Sequence, residues 1–471
     1  MSAANVLPAN LSHFRRNILL FLLLGLFSAC SGGNLTTPQM KGAIQLFDLH
    51  GKLICQIHGQ DAQLDCFNNN ATQSAVAFQF IDYAVSELAS DLHTSVAKLP
   101  SSALTVSTTL DLALQQQILQ KTKQYIATMA TTHNMRNAAV VMIDYHNGAI
   151  RSLLGSLDGP TDSSPLDVVT GKQIGRQVGS VFKPFVYATA FDEGISPGEV
   201  VYDGPFSITN GTSSQGYAPL NNDGRFHGYM SYRSALQNNF NIPVLKLFVK
   251  TGFAPVEKTA HALGLKDLKS PPLVGYSMAL GTGELPLLET TVAYGAMANG
   301  GVHVPPHAIE KISDASGHVV YATPSQGTRA LSQQAAFMMT DVMSDDNARR
   351  EEFGPCSLLL LYSNTEEQCN AGNPGTVRPA AVHVTATDTF RDTMAVGYTT
   401  DLVAGVWTGN NDYSPMFNIT GVDGAARIWH DTMLLAEGSA PVQPFPGPPP
   451  GMVKKTVSYP NLTTTDWYMT P

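Results

Sequence analysis

The sequence predicts an α+β fold, an antiparallel β-sheet flanked by helices. Ala138 to Ser156 (AAVVMIDYHNGAIRSLLGS) reads as two β runs joined at Asn147-Gly148, a strong short hairpin signal. Thr393 to Gly409 (TMAVGYTTDLVAGVWTG) is a second pair of apolar runs around Thr399 to Asp401. Between them lie stretches with helical spacing at 235–252, 285–301 and 335–344. Strands from both ends of the domain therefore form one sheet, with helices inserted between them.

The remaining elements follow in chain order. Arg15 and Arg16 precede a short apolar run, Ile18 to Phe27, too short to span ~30 Å of hydrocarbon but suited to a secretory signal. Small residues then lead to a single cysteine, Cys30, followed by a polar stretch. This is similar to a bacterial lipoprotein signal over residues 1–30, in which Cys30 becomes the lipid-bearing N-terminus. An uncleaved signal-anchor is the alternative, and both export the chain. Residues 31–103 form a short N-terminal region. In it GAIQLFDLHGKLICQI alternates like a β element with a turn at His50-Gly51, and FQFIDYAVSELASDL is helical. A further helix starts after Asp111. Ala138 to Ile143 is apolar enough to be covered on both faces. Beyond Glu437, PVQPFPGPPPGMVKK is too proline-rich for a core and reads as an extended tail, 438–471.

Composition excludes some functions. The chain has 471 residues, 43% apolar, with a formal net charge of -9 and 28 Lys+Arg. That is ample for a large core, and it leaves no basic stripe for nucleic acid. Apart from Cys30, the cysteines fall into two close pairs, Cys55/Cys66 and Cys356/Cys369, which in an exported chain read as two local disulfides. Neither pair has the spacing of a structural zinc site. No cofactor or metal is expected, and His227 and His430 read as structural residues.

The chemistry-bearing stretch is GRQVGSVFKPFVY, residues 175–187. A bare Ser-x-x-Lys is common, and Ser95 to Lys98 also fits it, there as a polar helix face. Ser180-Val181-Phe182-Lys183 differs because Pro184 follows. Proline is tolerated only in a helix's first turn, so a helix starts near Gly179 or Ser180. The free N–H groups there suit a developing oxyanion, and i,i+3 spacing puts the Lys183 amine beside the serine. Buried and neutral, that amine would serve as base to the nucleophile; the alternative is a Ser N-cap with a surface lysine.

The segments LTVSTTLD, VVMIDYHNGAIRSLLGS, RQVGSVFKPFVYATAFDEG, DGRFHGYMSYRSALQNNFNIPVLKL, SMALGTGELPLLETTVAYGAMANGGVHVPP, FRDTMAVGYTTDLVAGVWTGNND and GAARIWHD follow one another in order. Together they resemble the transpeptidase domain of class A penicillin-binding proteins, of the serine β-lactamase/transpeptidase superfamily. The resemblance spans about 104–437. It implies a sheet with an inserted helical subdomain, Ser180 as the nucleophile acylated by D-Ala-D-Ala stem peptides or β-lactams, and Lys183 as its base. It also implies an oxyanion hole made by the backbone N–H groups of Ser180 and Ala386. The expected location is the cell envelope, on the outer face of the cytoplasmic membrane. About seventy residues between Cys30 and Leu104 are too few for the glycosyltransferase domain that class A proteins carry first. They look like its two flanks joined, and a separate glycosyltransferase is a possible partner.

Two motifs of that family are altered. Its Ser-x-Asn falls on Asn239-Phe240-Asn241, leaving a carboxamide where a hydroxyl would relay a proton. Its Lys-Thr-Gly, aligned without gaps between Arg378-Pro379 and Phe390-Arg391-Asp392, falls on His383-Val384-Thr385. No lysine occurs from Ile312 to Val453 to replace it. His383 would be cationic only below about pH 6.5, Val384 lacks a hydroxyl for the substrate carboxylate, and Thr385 is β-branched where glycine lets a backbone come close. Ala386 and Thr387 complete the expected substrate strand. The leading reading is a domain that still forms an acyl-serine with peptidoglycan stem peptides and β-lactams, without efficient transpeptidation; the alternative is a catalytically impaired binding scaffold or sensor. The oxyanion amides are expected to survive both.

Overall fold

The computed structural model describes residues 42–58, 63–64, 71–99, 103–157, 168–171, 175–208, 218–268 and 275–470. The signal segment, Cys30 and Cys66 lie outside these. Among the described residues no helix is long and apolar enough to cross a membrane.

The main sheet has five antiparallel strands: β1 (Asn137–Asp144), β2 (Ala149–Leu154), β3 (Ala381–Ala386), β4 (Asp392–Tyr398) and β5 (Leu402–Gly409), in the order β3-β4-β5-β1-β2. The two hairpins expected from sequence join through β5 and β1, in register from Leu402 opposite Asp144 to Gly409 opposite Asn137. At the β1–β2 turn Gly148 has φ +86°, and a Cβ there would lie 2.2 Å from the Pro305 carbonyl oxygen. Only glycine meets both demands.

The main helices of the domain are α1 (Ala71–Asp91), α2 (Leu112–Thr132), α3 (Lys183–Asp192), α4 (Asn241–Thr251), α5 (Leu287–Ala298), α6 (Gln333–Met343) and α7 (Arg427–Glu437). Helix α2 begins where expected, with the Asp111 carboxylate accepting from the Leu114 N–H at 2.9 Å. Strand β1 shows why its run is apolar throughout. Ala139, Val141 and Ile143 enter the core shared with α1, α3, α4, α5 and α6, whereas Ala138, Val140 and Met142 enter a second core with α2 and α7. A strand covered on both faces cannot alternate polar with apolar residues.

The short N-terminal region does not stand apart. Ile44–Phe47 pairs antiparallel with Leu53–His58 and parallel with Leu104–Thr108, which pairs in turn with Ile309–Asp314 in a six-stranded sheet. The Cys356–Cys369 disulfide is present as expected. The second Ser-x-x-Lys, Ser95 to Lys98, is an exposed short 3-10 turn.

The segment after Glu437 departs from the extended tail expected. The proline-rich run is irregular and mostly exposed, but Met452–Ser458 and Thr463–Met469 form a hairpin docked on the domain. Its anchor is Asp466, 2.6 Å from the Arg233 guanidinium, which also pairs with Asp341 and Asp345. The Trp467 ring meets Phe337 edge-on at 5.3 Å. Prolines nearby masked a strand pattern that gains its stability from these distant partners, not from its own residues.

Candidate active site

Ser180 lies in a 3-10 turn, Gly179–Phe182, that leads into α3, with Pro184 in the helix's first turn. The turn is held from below by Arg176. This side chain is fully buried between the rings of Trp407 and Tyr413, at 4.8 and 3.8 Å, and pairs with Asp392 at 3.3 Å. Cation–π contacts and a buried ion pair thus tie the serine loop to β4 and β5. Ser180 is 8% exposed, and its hydroxyl makes no hydrogen bond among the described residues. It sits in an open cleft of about 220 Å³, with Gln177, Asn241, Thr282, Thr385 and Asp388 on its walls.

Lys183 points inward and is fully buried. Its Nζ donates to the Asn239 carbonyl oxygen, to Asn239 Oδ1 at 2.7 Å and to Asn241 Oδ1 at 2.8 Å. Burial pushes its pKa well below the usual lysine range, while Asp388 and Glu352 pull in the opposite direction. Three neutral oxygens hold three protons, an arrangement that suits an ammonium better than a base with a free lone pair. None of these bonds goes to Ser180.

The segment that binds Lys183 is a break in the helical stretch expected at 235–252. The helix Tyr232–Gln237 ends, Asn239 takes φ +61°, and α4 begins at Asn241. Asparagine is among the few residues that tolerate this left-handed geometry. The start of α4 is held by a residue that sequence reasoning missed. Asn221 Oδ1 accepts from the N–H groups of Asn241 and Ile242 at 2.7 and 3.3 Å, and its Nδ2 donates to the buried Asp203 at 2.7 Å. The only signal for it was the turn-forming PLNNDG, which marks a loop but not a partner.

Strand β3 is the sheet edge beside Ser180 and carries His383, Val384 and Thr385. Val384 turns away from the cleft and packs with Val382 in the second core, so it is not a substrate contact. His383 is buried, and its Nε2 has no hydrogen-bond partner among the described residues. Burial, then Lys183, then Arg349 drive its pKa well below the usual histidine value. It is therefore neutral at physiological pH and supplies no positive charge to the cleft. Thr387 spends its hydroxyl within its own turn, on the carbonyl and N–H of Asp392 at 3.3 and 3.2 Å. Ala386 lines the cleft.

Thr385 overturns the expectation that the oxyanion amides stay free. Its Oγ1 accepts a hydrogen bond from the Ser180 N–H at 2.9 Å. The fit is close, because Gly179 has φ +53° and a Cβ there would lie 2.4 Å from Thr385 Oγ1. A side chain 205 residues away thus occupies the donor that an acyl oxygen would need.

Residues 138–352 match the family described as the penicillin binding protein transpeptidase domain. The chain is 30% identical over 306 residues to penicillin-binding protein 1A of Neisseria meningitidis, across 63% of this chain and 35% of that protein. It is 28% identical over 391 residues to penicillin-binding protein 2D of Bacillus subtilis, across 82% of this chain and 52% of that protein. The chain thus spans between a third and about half of the length of these relatives. Among solved structures, penicillin-binding protein PonA1 from Mycobacterium tuberculosis superposes with a TM-score of 0.62 at 24% identity, covering 79% of this chain and 95% of that one. Penicillin-binding protein 1A from Haemophilus influenzae gives 0.66 at 18% identity, covering 83% and 76%. These likenesses establish the α+β fold.

Proposed function

From a chain whose residues 138–352 belong to the penicillin-binding-protein transpeptidase family, we propose a cell-envelope domain that binds peptidoglycan stem peptides in the Ser180 cleft while acyl transfer is suppressed. It serves as a scaffold or sensor. The observation that carries this is the Ser180 amide bonded to Thr385 Oγ1.

Acyl transfer would need Ser180 Oγ to attack the penultimate D-alanine carbonyl, pass its proton to Lys183, place the carbonyl oxygen on two backbone N–H groups and protonate the leaving amine. Lys183 is engaged by three oxygens, one of the two amides is occupied, and Asn239 offers no hydroxyl to the leaving group. Loss of one oxyanion donor alone costs about 2.7–4 kcal/mol, or ~10²–10³ in rate. A missing relay adds a further ~1–3 kcal/mol.

Attachment through a lipid on Cys30, or through an uncleaved signal-anchor, belongs to the same proposal, as does a separate glycosyltransferase that supplies the strands. A second reading, a slow acyl-serine enzyme that reacts with β-lactams and stems, is favoured by the depressed pKa of Lys183 beside an unengaged serine hydroxyl. Labelling with a fluorescent penicillin, run beside calorimetric titration with a soluble stem pentapeptide, separates the two. The scaffold predicts saturable peptide binding with labelling near the Ser180→Ala background. Stoichiometric labelling within minutes would establish the enzyme instead, and absence of peptide binding would remove the scaffold.

A further inference from the structure

We infer that the ribbon formed by Val200–Asp203 and Gly228–Ser231 is a platform on which a peptidoglycan glycan strand stacks, an assignment that rests on the stem-peptide reading of the cleft. The ribbon has two unlike faces. The cross-strand pair Val201 and Met230 is 7% exposed on each side and lies in the main core. The next pair, Tyr202 and Tyr229, points outward at 46% and 49% exposed, with ring centroids 4.8 Å apart and planes tilted by 48°. No third strand joins this two-stranded sheet among the described residues.

Such exposure is concentrated here. Of the five aromatic side chains more than a third exposed among the described residues, three are Tyr202, Phe226 and Tyr229. Paired outward tyrosines are costly to leave uncovered unless something binds them, and tyrosine suits a ligand that is apolar on one face and wet at its edge.

A fixed cation completes the platform. Lys246 of α4 donates to the Tyr202 carbonyl oxygen at 2.6 Å and lies 5.3 Å from the Tyr202 ring and 5.4 Å from the Phe206 ring. The same helix begins with Asn241 on the cleft wall, five residues or roughly 7.5 Å along its axis. Asp203 at the end of the ribbon binds Asn221, which holds Asn241 in place. Cleft wall and platform are thus built on one hydrogen-bonded scaffold.

These features select a glycan. The C–H face of a pyranose ring stacks on an aromatic face, and an ammonium at the platform's end meets N-acetyl or lactyl oxygens of an amino-sugar polymer. A stem peptide seated in the cleft hangs from such a strand, so the sugar has to lie within a few residues' reach.

The test uses the full chain with amidase-treated glycan strands, which lack stems and bear free lactyl carboxylates, and with chitotetraose as an uncharged probe. The double variant Tyr202→Ala/Tyr229→Ala is expected to bind both at least tenfold more weakly. Lys246→Ala should weaken the acidic strands more than chitotetraose and flatten their salt dependence. Tyr202→Phe/Tyr229→Phe should retain binding, and Tyr229→Ala alone substitutes if the double variant melts early. Undiminished binding by the alanine variants, or no binding of stem-free strands by the unaltered chain, overturns the platform. Failure of the soluble pentapeptide to bind while the strands still do would remove the stem-peptide reading and leave this surface standing.

Discussion

Replacing Thr385 by glycine tests the blocked amide directly. Thr385 is 3% exposed, and among the described residues its hydrogen bond to the serine loop is the 2.9 Å one from the Ser180 N–H. Losing that bond costs about 1 kcal/mol, and glycine within a strand costs up to another ~1 kcal/mol, so the variant should melt at lower temperature yet stay folded. The kinetic effect runs the other way. At the least, the acyl oxygen no longer competes with a bond worth ~0.5–1.5 kcal/mol, a gain of roughly 3–10-fold. At the most, a full oxyanion donor returns, worth ~10²–10³. Acylation by a fluorescent penicillin, followed over time on gels against Ser180→Ala, should therefore accelerate by between about three and a thousand fold. Thr385→Ser keeps the oxygen and should remain slow. Thr385→Val keeps the bulk over the amide and should also remain slow while losing about 1–2 kcal/mol of stability. If Thr385→Gly folds and labels no faster than the unaltered chain, the threonine is not what restrains the serine.

Further outcomes concern other parts of the molecule. His383 is held neutral by burial, so the unfolded chain binds a proton near pH 6.5 that the folded chain refuses. Its contribution is therefore complete above that pH and is lost as the pH falls, by at most about 1.4 kcal/mol per unit. Chemical denaturation of His383→Gln should show a flatter stability profile below pH 6.5 than the unaltered chain, and an identical slope would contradict a neutral buried histidine. Cys356→Ser/Cys369→Ser opens a loop with a sequence separation of 13 and should cost roughly 3 kcal/mol by urea titration. Arg233→Ala leaves Asp466, 3% exposed, without its partner. Amide exchange should then speed up across 452–469 first, and uniform exchange would show that the hairpin is held by other contacts.

Much of the architecture was legible because its signals are local. Asn147-Gly148 marks a turn that only glycine can make, Asp111 caps the helix that follows it, and the unbroken apolar run of Ala138 to Ile143 announces a strand covered twice. Pro184 located a helix start, and with it the serine and the lysine. The hairpin at 452–469 was not legible, since its stability comes from Arg233 and Phe337, more than a hundred residues upstream.

The site divides along the same line. Residue types alone determined that a serine and a lysine share one helix turn, and the family resemblance led to the expectation of a missing hydroxyl at Asn239 and a missing cation at His383. Tertiary structure decided what those changes mean. Periodicity told neither that Val384 faces the core nor that His383 is sealed from solvent, because both depend on which side of an edge strand meets the serine loop. Nor did any spacing relate Thr385 to Ser180. A hydrogen bond depends on angles and distances of a few tenths of an ångström between atoms brought together by the whole chain, and that information exists only once the sheet and the helix have packed.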